Sequence, residues 1–239
     1  MTIVNAAWPF LTLYTLFHST GGSELTSSTM AWWMLAMLAY PETQARAQAE
    51  LDAVVGRARL PTFADHPLLP YTRAMVKETL RWRPVAPLSV PHRATEDDWY
   101  EGMFIPKGTI CIPNVWHVNR DPEVYGENAA HFDPARYLGA SGNIVPQAGP
   151  LDTKEEGHVS YGFGRRKCIG LHVANNSLFI NIAIMLWATK IERKKDASGQ
   201  LVPLDVDGSV DHGLVVSAGS SHSFEMMLTC VVPQTSCPL

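Results

Sequence analysis

The chain has 239 residues, of which 46% are apolar and 18% charged, and its formal net charge is −4. These values are typical of a globular protein with a real core in one or two domains, and they give no support to a nucleic-acid partner. Four cysteines, at 111, 168, 230 and 237, lack the CxxC spacing of zinc sites, and they do not suggest a disulfide-stapled fold.

The first segment, residues 1–20, is apolar but is interrupted by Pro9 and lacks a basic start. It falls short of the ~20 unbroken apolar residues that a membrane span needs. We interpret it as a buried core segment, with a signal peptide as the alternative.

Apolar residues at helical spacing predict a buried helix over residues 21–40. Pro41 begins a second helix, which Gly56 ends, and a third helix is predicted over residues 71–83. Residues 171–193 carry the pattern of a fourth.

Strand signals lie between and after these helices. Residues 102–113 read as two short strands around the turn Pro106-Lys107-Gly108, and residues 224–232 resemble a strand. Residues 84–92 are proline-rich and predicted to be extended, while residues 194–208 form a polar connector. The predicted fold class is mainly α with small β-sheets.

The most informative stretch is residues 158–176, HVSYGFGRRKCIGLHVANN. Its glycines allow a flat group to approach the backbone, and a cysteine just before a helix has its thiolate favoured by the helix N-terminus. The neighbouring arginines offer paired donors to carboxylates. The alternatives are a phosphate loop, which would need Ser or Thr where Cys168 stands, and an ordinary buried thiol.

Residues 161–170, YGFGRRKCIG, resemble the haem-binding signature F-x-x-G-x-R-x-C-x-G of the cytochrome P-450 superfamily, with Tyr161 in place of the opening Phe. The resemblance implies the C-terminal half of that fold over residues 21–239, preceded by a poorly matching segment, residues 1–20. It implies haem b with Cys168 as the axial ligand of the iron. The other cofactor-binding residues implied are Arg166, His92, Phe163, Gly164 and Gly170. A surface histidine is the alternative for His92.

Glu78-x-x-Arg81 is similar to the superfamily's second signature, in which the pair is buried with an arginine from a later loop. Here that loop provides Arg136, and Ala135 replaces the usual Glu. The resemblance implies that Glu78, Arg81 and Arg136 hold the core on the haem side. An exposed i,i+3 ion pair, worth ~0.5 kcal/mol, is the alternative.

Residues 21–26, GGSELT, resemble the superfamily's distal motif A/G-G-x-D/E-T-T. Leu25 stands where the proton-delivering Thr is usual, and Thr26 follows one residue later, ~100° around a helix. Glu24 and Thr26 are the candidate catalytic residues. The alternative is that these polar groups cap the start of the helix.

The family function implied is insertion of one oxygen atom into a small apolar substrate, with electrons from NADPH through a reductase. The implied pocket residues are Val85, Ala86, Leu88, Leu214 and Val215, and the cations expected to dock the reductase are Arg165, Lys167 and Arg193. The alternative for these cations is surface solubility.

Alternatives for the function are a haem-thiolate isomerase or dehydratase and an inactive haem-binding fragment. We expect a fragment without a membrane anchor, whose full-length form lies on the cytosolic face of the endoplasmic reticulum membrane.

Overall fold

A computed structural model describes residues 7–145, Thr153, and residues 156–206, 209–211, 216–218 and 226–230. In these ranges the chain is mainly helical, with short antiparallel strand pairs, which confirms the predicted fold class. The α-helices are α1 Ala7–Ala39, α2 Pro41–Val54, α3 Pro70–Trp82, α4 Val115–Val118, α5 Pro122–Tyr125 and α6 Leu171–Ala188. Short 3₁₀ helices span Phe63–Leu68, Pro134–Tyr137 and Gly164–Arg166.

The described strands pair in twos, all antiparallel. They are β1 His92–Arg93, β2 Asp98–Tyr100, β3 Met103–Ile105, β4 Ile110–Cys111, β5 Thr189–Arg193, β6 Ser209–Asp211, β7 Val216–Ala218 and β8 Met226–Cys230. The pairs are β1 with β4, β2 with β3, β5 with β8, and β6 with β7. The two strands predicted around Pro106-Lys107-Gly108 are β3 and β4, and each pairs with an earlier strand rather than with the other.

Helix α1 is longer than the sequence pattern predicted, because it begins at Ala7 and not at residue 21. Residues 21–26 therefore lie inside the helix, and the alternative in which they cap its start is wrong. The Thr26 hydroxyl donates to the carbonyl of Gly22 at 2.9 Å, the local bond that Ser and Thr commonly make within helices. The helix ends at Ala39, since Pro41 disfavours a helical conformation at the preceding residue.

Helix α6 is shorter than predicted: it ends at Ala188, and Thr189–Arg193 form β5 instead. The β-branched residues Thr189 and Ile191 favour a strand. The Gln44 side chain strengthens this choice, since it accepts from the Ile191 N–H at 2.7 Å and donates to the Ile191 carbonyl at 2.9 Å. The prediction of helix over residues 189–193 was wrong for these reasons.

The core lies where α1, α2, α3 and α6 meet. Trp82 packs edge-on against Trp32 and Phe132, at ring-centroid distances of 6.5 and 5.6 Å. Each fully buried large apolar side chain contributes about 1.5–3 kcal/mol. The largest of them are Trp32, Trp33, Trp82, Tyr137, Phe179, Leu35, Met37, Leu51, Leu69, Met75 and Leu178.

Among the described residues, α6 has the length and apolar composition that a membrane-crossing helix needs. Leu178, Ile182 and Leu186 of this helix are nevertheless buried in the core against the other long helices. One face of α6 therefore packs in the core. The segment directly before the helix, residues 158–170, contains Cys168 and is called the cysteine loop below.

Candidate active site

The cysteine loop is a tight turn that ends directly before α6. The Cys168 N–H donates to the Tyr161 carbonyl at 2.8 Å, and the Gly162 N–H donates to the Val159 carbonyl at 2.8 Å. Gly162 and Gly164 have φ values of +70° and +63°, a left-handed conformation that glycine adopts without a steric penalty. The loop therefore closes on its own backbone and leaves the Cys168 side chain exposed.

The surface around the sulfur is apolar and open. Phe163 is 40% exposed and Ile169 is 90% exposed, although buried positions are the usual ones for such side chains. A Cβ added to Gly170 would lie 3.8 Å from Cys168 Sγ, beside the sulfur. The glycine thus keeps the immediate surroundings of the sulfur free of a further side chain.

The first residue of β1 meets this loop. The rings of His92 and Phe163 lie 6.3 Å apart between centroids, and His92 is exposed. Arg166 is exposed too, and its guanidinium has no hydrogen bond to other described residues. The structure therefore brings Cys168, Phe163 and His92 to one surface, with Arg166 in the same loop.

These residues fit an iron porphyrin, the group that the resemblance implies. An exposed sulfur is a soft ligand for iron, and glycines beside it admit a flat macrocycle. The Arg166 guanidinium and the His92 imidazole are suitable donors to carboxylates such as the haem propionates. The fit depends on the exposed Cys168 side chain and on the space that Gly170 leaves beside it.

Glu78, Arg81 and Arg136 meet in the interior. Arg81 Nε and Nη2 donate to the two Glu78 carboxylate oxygens at 2.7 Å each, and Arg136 Nε donates to Glu78 Oε1 at 3.0 Å. Glu78 and Arg81 side chains are fully buried, and Arg136 is 5% exposed. Burial alone would lower the pKa of Arg81, but the hydrogen bonds and charge of Glu78 outweigh it and hold this pKa above its ordinary value.

The remaining donors of this triad hold nearby loops. Arg81 Nη1 donates to the carbonyls of Asn119 and Ala129, both at 2.7 Å, and the Asp133 N–H donates to Glu78 Oε1 at 2.7 Å. The geometry joins α3 to the segment that follows α4. Ala135 stands where the superfamily usually has a glutamate, so position 135 provides no carboxylate to the triad. Backbone carbonyls accept from Arg81 instead.

Asn119 was not predicted as a site residue, but it links the triad to the cysteine loop. Its carbonyl binds Arg81, while its side chain accepts from the Val159 N–H at 2.9 Å and donates to Ser160 Oγ at 2.9 Å. Asn119 is fully buried. The signal that sequence reasoning could have used is an asparagine within NVWHVNRDP, a stretch otherwise attributed to structure.

His158 is buried at the start of the loop. Burial, together with the positive charges of Lys77, Lys167 and Arg81, holds the pKa of His158 well below its ordinary value. Its Nδ1 accepts from the Ser160 N–H at 3.3 Å, and its Nε2 has no hydrogen-bond partner among the residues that the structure describes. The imidazole is therefore neutral in the folded chain.

A cation also lies among three tryptophans at the end of α3. The Arg83 guanidinium carbon is 4.7, 5.0 and 5.3 Å from the ring centroids of Trp82, Trp116 and Trp32. These distances are those of cation–π contacts. Arg83 comes immediately before Pro84, so the cluster fixes the start of the predicted pocket segment.

That segment is not simply extended, which corrects the prediction for residues 84–92. The Ser89 N–H donates to the Ala86 carbonyl at 3.0 Å, and Ser89 has a φ of +54°, so the chain makes a turn there. Val85 and Ala86 are half-buried, and Leu88 is 53% exposed. Leu214 and Val215 lie outside the described residues.

The candidate distal residues stand apart from the cysteine loop. Glu24 is exposed, and Thr26 bonds within its own helix. No hydrogen bond joins either residue to the loop within the described parts of the chain. The structure thus does not bring Glu24 and Thr26 together with Cys168 through direct contacts.

Two of the three cations expected to dock a reductase also bond within the described parts of the molecule. Lys167 Nζ donates to the Thr153 carbonyl, and Arg193 Nη2 donates to the Val202 carbonyl at 2.6 Å. Both side chains are half-buried, because each satisfies a carbonyl of a neighbouring loop. Arg165 is exposed and stays available for a partner.

The structure places the exposed Cys168 sulfur directly before α6, where the family resemblance implies the axial ligand of a haem iron. The family model described as Cytochrome P450 matches residues 12–200, and the chain belongs to the cytochrome P450 family.

Among curated proteins, the chain is similar to fungal cytochrome P450 monooxygenases. One from Armillaria gallica is 66% identical over 81% of this chain and 37% of its own length. Cytochrome P450 monooxygenase 58 of Postia placenta is 55% identical over 81% of the chain and 36% of its own length. The monooxygenase iboC of Amanita muscaria is 44% identical over 74% of the chain and 39% of its own length. The chain therefore spans little more than a third of the length of these relatives.

Proposed function

We propose that this chain carries the haem-thiolate site of a monooxygenase, which inserts one atom of dioxygen into a small apolar substrate while the other leaves as water. The observation that carries the proposal is the exposed Cys168 sulfur, in a loop closed by the Tyr161 carbonyl directly before α6. The names of the fungal relatives support the same reaction class.

In this proposal each residue of the loop has one task. Cys168 provides the axial sulfur, Arg166 and His92 bind the propionate carboxylates, and Phe163 packs against the macrocycle. Bound haem supplies a thiolate-ligated iron, which favours O–O bond cleavage over reversible oxygen binding. Gly164 and Gly170 keep side chains away from the porphyrin.

The substrate class follows from the pocket segment. Val85, Ala86 and Leu88 are aliphatic or small, and such a lining favours an apolar ligand. Electrons would come from NADPH through a reductase, with Arg165 as a contact for an acidic partner surface. The full-length protein would act at the cytosolic face of the endoplasmic reticulum membrane.

The test uses a matched pair of cysteines, since Cys111 and Cys168 are both free and exposed. Reconstitute the chain and the variants Cys168→Ala and Cys111→Ala with haem, and record the reduced, carbon-monoxide-bound spectrum. We expect a thiolate-ligated Soret band in the wild type and in Cys111→Ala, and none in Cys168→Ala. A thiolate-ligated band that survives in Cys168→Ala, or is absent from the wild type, would contradict the proposal.

A second candidate is favoured by the distal helix. Leu25 has no hydroxyl, and the Thr26 hydroxyl is engaged by the Gly22 carbonyl. A haem-thiolate isomerase or dehydratase acts on an already oxidised substrate and does not need a proton-delivering hydroxyl. Under the monooxygenase proposal Glu24 is the remaining candidate acid, with Thr26 available only if its bond to Gly22 opens.

The variant Leu25→Thr separates the two candidates. Turnover is measured with NADPH, reductase and isotope-labelled dioxygen, and separately with an organic hydroperoxide and no reductase. For a monooxygenase, labelled oxygen enters the product, and Leu25→Thr raises product formed per NADPH consumed. For an isomerase or dehydratase, only the hydroperoxide is converted, and Leu25→Thr gives no gain.

A further inference from the structure

Tyr161 lies where the superfamily signature has phenylalanine, and its hydroxyl makes a contact that phenylalanine cannot make. This hydroxyl donates to Asn175 Oδ1 on α6 at 2.8 Å. The backbone carbonyl of the same residue accepts from the Cys168 N–H at 2.8 Å. Tyr161 therefore connects α6 through its side chain and the cysteine through its main chain.

Asn175 is held in turn by a largely buried carboxylate. Its Nδ2 lies 3.4 Å from both oxygens of Glu156, which is 8% exposed. Lys77 Nζ lies 3.4 Å from Glu156 Oε2 and 3.2 Å from the Glu156 carbonyl. A polar chain thus runs from Lys77 on α3 through Glu156 and Asn175 to the Tyr161 hydroxyl.

The orientation of the Asn175 amide follows from its two partners, Glu156 and Tyr161. Glu156 accepts from the Asn175 amide, so Asn175 presents Oδ1 to Tyr161. The Tyr161 hydroxyl then donates to this oxygen at 2.8 Å.

We propose that Tyr161 is a positioning residue: its hydroxyl, anchored on Asn175, fixes the carbonyl that binds the Cys168 N–H and so sets where the sulfur lies. Phenylalanine would fill nearly the same volume but would lack this hydrogen bond to α6. The importance of this for an iron ligand rests on the proposed haem-thiolate function, whereas the effect on the loop itself does not.

The first experiment needs no haem. Amide hydrogen exchange is followed in the full chain for the wild type, Tyr161→Phe and Asn175→Leu. We expect peptides that cover residues 161–170 to exchange about threefold to tenfold faster in both variants, the ratio for loss of one hydrogen bond. Peptides from α2 are expected to keep their wild-type rates.

The matched control is Tyr71→Phe. The Tyr71 ring is buried and packs against Arg46, whose guanidinium carbon lies 4.4 Å from the ring centroid. Unchanged exchange over residues 161–170 in Tyr161→Phe would overturn the proposal. A uniform increase along the whole chain would overturn it too, because it would mean that the hydroxyl supports only general stability.

The second experiment uses the haem-loaded chain and measures how long the thiolate-ligated spectrum persists in dilute urea. We expect Tyr161→Phe to shorten that half-life about threefold to tenfold, with Tyr71→Phe unchanged. Equal half-lives would overturn the proposed role toward the iron ligand. If the wild type never shows thiolate-ligated haem, the proposed function fails, while the exchange experiment still decides whether Tyr161 positions Cys168.

Discussion

The two sides of the cysteine loop differ in the burial and the pairing of their side chains. On the inner side, Glu78 takes two guanidinium groups and a backbone N–H, all within 3.0 Å, and no part of its side chain is exposed. On the outer side, Phe163 and Ile169 are uncovered apolar groups beside an exposed sulfur. On the inner side the charged and polar groups are hydrogen-bonded to one another. On the outer side the exposed apolar groups and the sulfur are typical of a surface that binds a ligand.

The difference has a thermodynamic consequence. A buried charge left without its partner cannot be stabilised by water, so inner-side changes act on folding. Exposed groups on the outer side have water in the free chain, so their changes act on binding. The comparison is supported if inner-side variants lose stability and outer-side variants lose ligand affinity. It is refuted if an outer-side variant loses as much stability as an inner-side one.

The largest effect is expected for Glu78→Gln, which leaves the buried Arg81 and Arg136 without a negative charge. The free energy of unfolding, from urea denaturation at pH 7, should fall by about 3–5 kcal/mol. The control is Glu192→Gln, in an exposed pair with Lys190 at 2.8 Å, with an expected change below about 0.5 kcal/mol. Equal losses in the two variants would show that burial does not distinguish them.

The next effect is a dependence of stability on pH through His158. Its pKa in the folded chain is well below the ordinary value, whereas the unfolded chain takes up a proton below pH ~6.5. Because the unfolded state then binds more protons, stability falls as the pH decreases, by about 1.4 kcal/mol per pH unit. The nearby Glu156 carboxylate, 4.0 Å from Nε2, is itself paired with Lys77.

Urea denaturation at pH 7 and pH 5 checks this sign. Between these values the wild type should lose about 2 kcal/mol more than His158→Gln does. His66→Gln should change the pH dependence in the same direction but less, because burial and the charge of Arg73 lower the pKa of His66 only moderately. A steeper pH dependence in His158→Gln than in the wild type would contradict the assignment.

A smaller effect is expected at the cation among the tryptophans. Arg83→Met keeps most of the side-chain volume but removes the charge from the faces of Trp82, Trp116 and Trp32, together with the hydrogen bond to the Val206 carbonyl at 2.9 Å, with a loss of about 1–2 kcal/mol. Arg83→Lys should recover part of this loss, since lysine restores the charge without the planar group. Urea denaturation measures both, and a methionine variant as stable as the wild type would exclude a cation–π contribution.

Sequence patterns predicted the helices and strands better than they predicted the contacts between residues that are distant in sequence. The helices that begin at Pro41 and near Pro70 were predicted because proline and glycine mark their ends locally. The end of α6 was missed, because the partners that turn Thr189–Arg193 into a strand are Gln44 and β8, both distant in sequence. Local propensity cannot include such contacts.

The same distinction applies to the site. The motif around Cys168 lies within ten residues, so it can be recognised locally. The i,i+3 spacing of Glu78 and Arg81 predicts an ion pair, but spacing alone favours an exposed one, and the burial with Arg136 was implied by the family resemblance. Asn119, Glu156 and Asn175 escaped prediction, since each acts through partners on other elements. Lys167 and Arg193 were expected at the surface, because sequence alone does not reveal which carbonyls a long cationic side chain can reach.

The smallest expected effect distinguishes Gly164 from Gly170, which are both fixed glycine positions of the same sequence motif. Gly164 has a φ of +63°, so Gly164→Ala should destabilise the free chain by about 1–2 kcal/mol. Gly170 has a φ of −85°, and a Cβ there would lie 3.8 Å from the sulfur, an ordinary contact. Gly170→Ala should therefore leave the free energy of unfolding within about 0.5 kcal/mol of the wild type. Its effect should appear in haem affinity instead, measured by titration, because the added methyl group occupies space beside the ligand atom. If Gly170→Ala weakened folding as much as Gly164→Ala, a change on the outer side without backbone strain would act on folding, and the comparison would fail at this position.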